Sequence, residues 1–251
     1  VSSAAAAPTS QLGAAQWRGL AADHAAQIRS LTRPYAARRA ARLPHPVLDF
    51  VFTYYHFSMR KLEAWHPGLG VGLLDDGARG PWSANKNYRL ENGSWQLDPA
   101  SLTAKEACRL RWTADLLRAT AGRAPQFACH GLHEWAMVYR AEDLRHAGSL
   151  PLRLAQAEID ALVNSRPLLC THFDALRFFA PSARPLNRHA LSLEARPEHE
   201  QPGCLHANMD LYKWAYKSMP WIGSDILMDA ATTKPSSAHS PSAPPRCARA
   251  C

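Results

Sequence analysis

Three short stretches of this chain repeat one arrangement of reactive side chains. Cys129-His130 is followed by His133-Glu134, Cys170-Thr171-His172 by Asp174, and Cys204-Leu205-His206 by Asn208 and Asp210. In each, a histidine follows a cysteine within two residues, and a carboxylate follows that histidine within four. Imidazole, thiolate and carboxylate are the common ligands of transition metals. His130, His133, His172 and His206 are therefore candidate ligands, with zinc or iron as the metal. On a helix, His130, His133, Glu134 and Met137 share a face, as do His206 and Asp210. His172-Phe173-Asp174 with a distant histidine also fits a site of two imidazoles and one carboxylate that holds iron. Taken singly, such residues have plainer uses: an Asp or His at a helix start caps backbone N–H groups, and a Cys there is a small buried apolar residue. It is the threefold recurrence that favours function. On these residues alone the chain reads as a metal-dependent hydrolase or oxidoreductase acting on a small substrate, or as a non-catalytic helical binding module whose clusters are structural.

Aromatic side chains lie close to these stretches in sequence: Tyr54-Tyr55-His56, Trp135, Tyr139, Phe178-Phe179, Tyr212, Trp214, Tyr216 and Trp221. A flat base would stack between such rings, although helical spacing also turns several of them toward a core. Arg140, Arg177, Lys213 and Lys217 would meet phosphates or form solvated helix faces. Other signatures are missing: the zinc-protease H-E-x-x-H, the zinc-deaminase pattern, phosphate-binding and dinucleotide-binding glycine motifs, and the serine elbow.

The elements that must position these groups are mainly helices. Apolar spacing predicts helices over 130–140, 155–165 and 171–179, then a Pro-rich loop over 180–203, a strong helix over 205–219 and a short one over 224–230. Earlier, Trp17, Leu20, His24, Ile28 and Leu31 mark an amphipathic helix. Pro34 interrupts it, and a basic helical turn follows over 35–43. The stretch 46–57 is apolar on all sides and reads as a buried helix. Ser58 caps a short helix ending near Trp65. Asn92-Gly93, between Tyr88-Arg89-Leu90-Glu91 and Ser94-Trp95-Gln96-Leu97, is the strongest short hairpin signal. A helix over 102–121, capped by Ser101 and stopped by Gly122, follows. The expectation is a mainly α chain: one helical domain over 14–230 with a small inserted β-hairpin near 87–98, a flexible 1–13 and a disordered tail over 231–251.

The chain has 251 residues, 47% hydrophobic and 20% charged, with a formal charge of +8 and a pI near 9.4. That balance favours a polyanionic partner, although much of the excess sits at the ends. Before Asp49 the only acid is Asp23, against Arg18, Arg29, Arg33, Arg38, Arg39 and Arg42. No apolar run approaches the roughly 20 residues that span a bilayer. The six cysteines are scattered without a C-x-x-C pair, which suits reduced thiols and a soluble, intracellular protein. An acid-poor, Arg- and Ala-rich start also suits an organelle transit peptide.

Longer blocks carry a family resemblance. They are His45-Pro46-Val47, Asp49-Phe50, Tyr54-Tyr55, Trp65-His66-Pro67-Gly68, Gly131-Leu132-His133-Glu134-Trp135-Ala136-Met137-Val138-Tyr139-Arg140, His172-Phe173-Asp174-Ala175, and the run from Gln201-Pro202-Gly203 through Lys213-Trp214. Over 17–229 the chain resembles a family of mostly bacterial proteins labelled 3-methyladenine DNA glycosylase. The resemblance implies DNA as partner and hydrolytic release of alkylated purines as the reaction, a step of base-excision repair. It implies a flipped base held by aromatic faces, and a carboxylate that stabilises an oxocarbenium-like sugar and orients water. Glu134, Asp174 and Asp210 are the candidate catalytic carboxylates. Tyr54, Tyr55 and Trp135 would stack, and Asn208, Arg177 and Lys213 would contact substrate.

Overall fold

Helix predominates in residues 8–77, 80, 82–129, 131–140 and 152–232, which the computed structural model describes. These residues form two compact units rather than the single domain expected over 14–230. As far as described, the first takes in residues up to Leu110 and those from Leu211 onward, and the second Arg111–Asp210. Among the described residues no helix is long and apolar enough to cross a membrane. The tail expected beyond 231 lies, after Thr232, outside the described residues.

In the first unit, β1 (Ser10–Leu12) pairs in parallel with β2 (Val71–Leu74), and β2 pairs antiparallel with β4 (Ser94–Leu97), which closes a hairpin with β3 (Tyr88–Glu91). The hairpin is as expected. Asn92 and Gly93 take φ of 51° and 71°, the left-handed pair that a tight two-residue turn requires. It is one half of a four-stranded sheet in the order β1-β2-β4-β3, not an isolated insertion. The strand at Ser10–Leu12 also corrects the reading of 1–13 as wholly flexible, since it bonds to β2 along its length.

Helix α1 (Ala14–Ala40) lies over this sheet and buries Trp17, His24, Ile28 and Thr32. Pro34 sits inside it instead of ending it. Pro34 and Ser30, whose carbonyl loses its partner, are both exposed, so water can satisfy that carbonyl. Trp17, Trp65, Leu73, Trp82, Tyr88, Leu97 and Trp221 form the core, with Trp17 edge-on to Trp82 at 4.7 Å. The buried helix expected over 46–57 is absent. Only α2 (Phe50–Tyr54) is helical there, it buries nothing, and Val47 is 74% exposed. The turn is held by polar bonds: Asp49 accepts from Arg38 and from the His45 backbone N–H. Helix α3 (Met59–Glu63) starts at the expected Ser58 cap. Helix α4 (Ala104–Ala121) is capped by Thr103 with Glu106, a capping box, rather than by Ser101.

The second unit contains the end of α4, then α5 (Leu132–Ala136), α6 (Gln156–Asn164), α7 (Phe173–Leu176), α8 (Arg196–His199) and the start of α9 (Leu205–Ser218). Helix α10 (Ser224–Thr232) returns to the first unit. Leu132, Ala136, Tyr139, Val163, Leu168, Cys170, Ala175 and Phe179 make the second core. Helices α5 and α7 are shorter than their apolar spacing predicts, because each is cut off by docking on the other's connection: the Ala180 N–H bonds Ala136 O at 3.0 Å. The expected loop over 180–203 holds α8, with Arg196 buried.

Candidate active site in the second unit

Three loop clamps bring the repeated stretches together. Gln201 Oε1 accepts from the backbone N–H of Gln126 (2.8 Å) and of Gly203 (2.7 Å), while its amide donates to Gln126 O (3.0 Å). Gly203 presses so close that an added Cβ would stand 2.6 Å from Gln126 O. This fixes the approach to Cys129 against the approach to α9. Asn187 brackets Cys170, accepting from its N–H at 2.8 Å and donating to its carbonyl at 3.0 Å. Arg123, at the end of α4, donates to Glu200 O at 2.7 Å and to Pro197 O, which pins α8.

The inner layer is an ion-pair network. Arg196 is 3% exposed and spreads its guanidinium over three acids: Glu200 at 2.7 Å, Asp210 at 2.9 Å and Asp174 at 3.1 Å. Burial opposes its charge, but the three carboxylates outweigh burial and raise its pKa. His172, with no exposed surface, caps α7 by accepting the Ala175 N–H at Nδ1. Its Nε2 therefore carries the hydrogen and faces Asp210 Oδ2 at 3.2 Å.

The outer layer is His133, Glu134 and His206. One ligand-type atom from each lies within 4.8 Å of the others. His133 and His206 meet edge to face at 4.8 Å, and His206 stacks on His172 at 5.5 Å. Gly131, at φ 71°, turns the chain into α5 so that His133 points inward and Glu134 outward. His133 Nδ1 lies 2.9 Å from Cys129 Sγ. Its Nε2 stands 3.0 Å from Glu134 Oε1 as an ion pair, and this buried nitrogen makes no hydrogen bond among the described residues. Burial disfavours the His133 charge, yet Cys129 and Glu134 raise its pKa to about 9. Burial likewise raises the Cys129 thiol, but His133 more than reverses this and lowers it. His133 also lowers the Glu134 carboxyl. Burial, with the neighbouring His172 and His133, brings His206 down to about 4. Cys170 and Cys204 are driven up by burial, to about 12 and about 11, and are inert thiols.

The structure thus unites His133, Glu134, His172, Asp174, His206 and Asp210, from all three stretches. His172, expected as a metal ligand, has both ring nitrogens committed to the α7 cap and to Asp210, so it belongs to the network. Asp174 and Asp210 come close enough to His172 to resemble a metal site, but the guanidinium of Arg196 already supplies the cation between them. His130 lies outside the described residues. Trp135 packs on the second core. Arg177 pairs with Asp174 at 3.0 Å, and the Asn208 amide is spent on the Pro202 and Cys204 carbonyls. Tyr54, Tyr55 and Lys213 belong to the first unit. There Tyr55 is buried with Phe57 and Tyr212, Tyr54 meets Phe50 and Tyr55, and Lys213 lies over Trp214. Sequence reasoning missed Arg196 and Glu200. Their only signal is an opposite-charge pair at helical spacing within a Pro-rich stretch.

No family model, no curated protein and no solved structure matches this chain. Chemically, the arrangement offers one outward carboxylate beside two imidazoles, backed by a rigid ionic floor. Such a face can hold and deprotonate a water molecule.

Proposed function

We propose that this chain is a hydrolase of base-excision repair that releases alkylated purines, 3-methyladenine in type, from DNA. The observation that carries the reading is the difference among the three candidate carboxylates. Asp174 and Asp210 are bound to Arg196, with side chains 14% and 1% exposed, whereas Glu134 is 62% exposed beside His133 and His206. The substrate comes from the family resemblance, and the excess of basic residues suits a polyanion.

An alkylated purine is cationic and leaves readily, so the site must chiefly deliver water. The water oxygen bonds to the sugar C1′ as the N-glycosidic bond breaks. The bonding pair passes to the purine and neutralises it, and the water's proton passes to the Glu134 carboxylate. Such an enzyme works inside the cell or an organelle, where DNA is kept.

Purified protein incubated with methylated duplex DNA should release free base, and Glu134→Gln should slow release by about 100-fold or more. The absence of both base release and salt-sensitive DNA binding sinks the reading.

A further inference from the structure

We propose that His133 Nε2, the Glu134 carboxylate and His206 hold a divalent transition-metal ion, zinc or ferrous iron, with Cys129 behind His133 as its outer partner. The three donors already converge to within a small side-chain adjustment of a common point, since their ligand atoms are all within 4.8 Å of one another. Two imidazoles and a carboxylate form a donor set suited to both metals, and three protein ligands leave a position open for water.

Two further observations point to an ion. The first is His133 Nε2, a buried ring nitrogen on a residue 8% exposed, which makes no hydrogen bond among the described residues. It lies 3.0 Å from Glu134 Oε1, and an ion bound by both atoms would satisfy this nitrogen, as buried polar atoms nearly always are. The second is the other ring nitrogen. Nδ1 faces Cys129 Sγ at 2.9 Å, and histidines that bind metal through one nitrogen usually anchor the other on an acceptor. His206 adds a ring with no hydrogen bond among the described residues. It packs on His133 and His172, so a nitrogen is left to donate. The inner layer lacks these features, because Arg196 takes the place of a cation there.

The inference deepens the hydrolytic reading and rests on it only for the use of the ion, which would lower the pKa of a bound water. The test is therefore made without DNA. The full chain is purified without chelator and analysed for metal; the stripped chain is then titrated with zinc and, without air, with ferrous iron. A single ion per chain is expected. Glu134→Gln and His206→Gln should each weaken binding by more than about tenfold, the least that loss of an outer partner costs, with the circular dichroism unchanged. His56→Gln, at an exposed histidine of the first unit, should bind as the parent does. Cobalt substitution should give visible bands without thiolate charge transfer. Failure to bind either metal, or variants that bind as tightly as the parent, overturns the site. A charge-transfer band overturns the outer placement of Cys129. A chain that binds metal but releases no base leaves the site standing and removes the reaction, and the reverse result removes the site alone.

Discussion

Arg196 Nη2 donates to Asp210 Oδ2 at 2.9 Å, and the same oxygen receives His172 Nε2 at 3.2 Å. One carboxylate oxygen thereby joins α8, α9 and the start of α7. Which candidate groups are spent on structure and which remain for chemistry follows from this junction.

Removing the guanidinium should be severe. Arg196→Met leaves Asp174, Glu200 and Asp210 without their shared cation, and stranding buried charge costs about 3–5 kcal/mol. Arg196→Lys keeps the charge but not the fork, and should fall between the two. Urea unfolding of the three proteins gives the order, and equal midpoints would contradict the network.

Gly203→Ala should cost roughly 1–3 kcal/mol through overpacking. The new Cβ would stand 2.6 Å from Gln126 O and 2.9 Å from Gln126 N, and backbone cannot swing aside as a side chain does. Thermal unfolding measures this, and an unchanged melting temperature would show that the two loops are not pressed together.

His66 should make stability depend on pH. Burial lowers its pKa from 6.5 to about 4, with His24 adding to the effect. The folded state therefore holds His66 neutral, while the unfolded chain takes up a proton between those values. Its contribution is complete above pH 6.5 and is lost as pH falls toward 4, by up to roughly 3 kcal/mol. His66→Gln should flatten the stability profile over that window relative to the parent, and an unchanged slope would refute the assignment.

Val47→Ser and Leu48→Ser should each change stability by less than about 0.5 kcal/mol, because both side chains are exposed. A loss of 2 kcal/mol or more, typical of truncating a buried apolar side chain, would restore the buried helix that the apolar run suggests.

The elements legible in the sequence are those whose cause is local. Asn92-Gly93 dictates its turn, and the apolar spacing of α6 and α9 places both within a residue or so of their expected ends. The division into two units was not legible, because it falls inside α4 and α9 and no linker composition marks it. The apolar run at 46–57 misled because burial was inferred from composition, while the turn is held by Arg38 and Asp49. In the candidate site, the recurrence of Cys, His and carboxylate drew attention to residues that do converge. It could not rank them, because Arg196 is 14 residues from Asp210 and 22 from Asp174 and belongs to none of the three stretches.

The cap on α7 has a consequence for how firmly this interior is held. His172 Nδ1 accepts the Ala175 N–H while Nε2 is turned to Asp210, so the ring has no vacant lone pair. Flipping the ring would put carbon where each nitrogen stands and break both contacts at once. His172 therefore serves as a fixed strut between the first turn of α7 and α9.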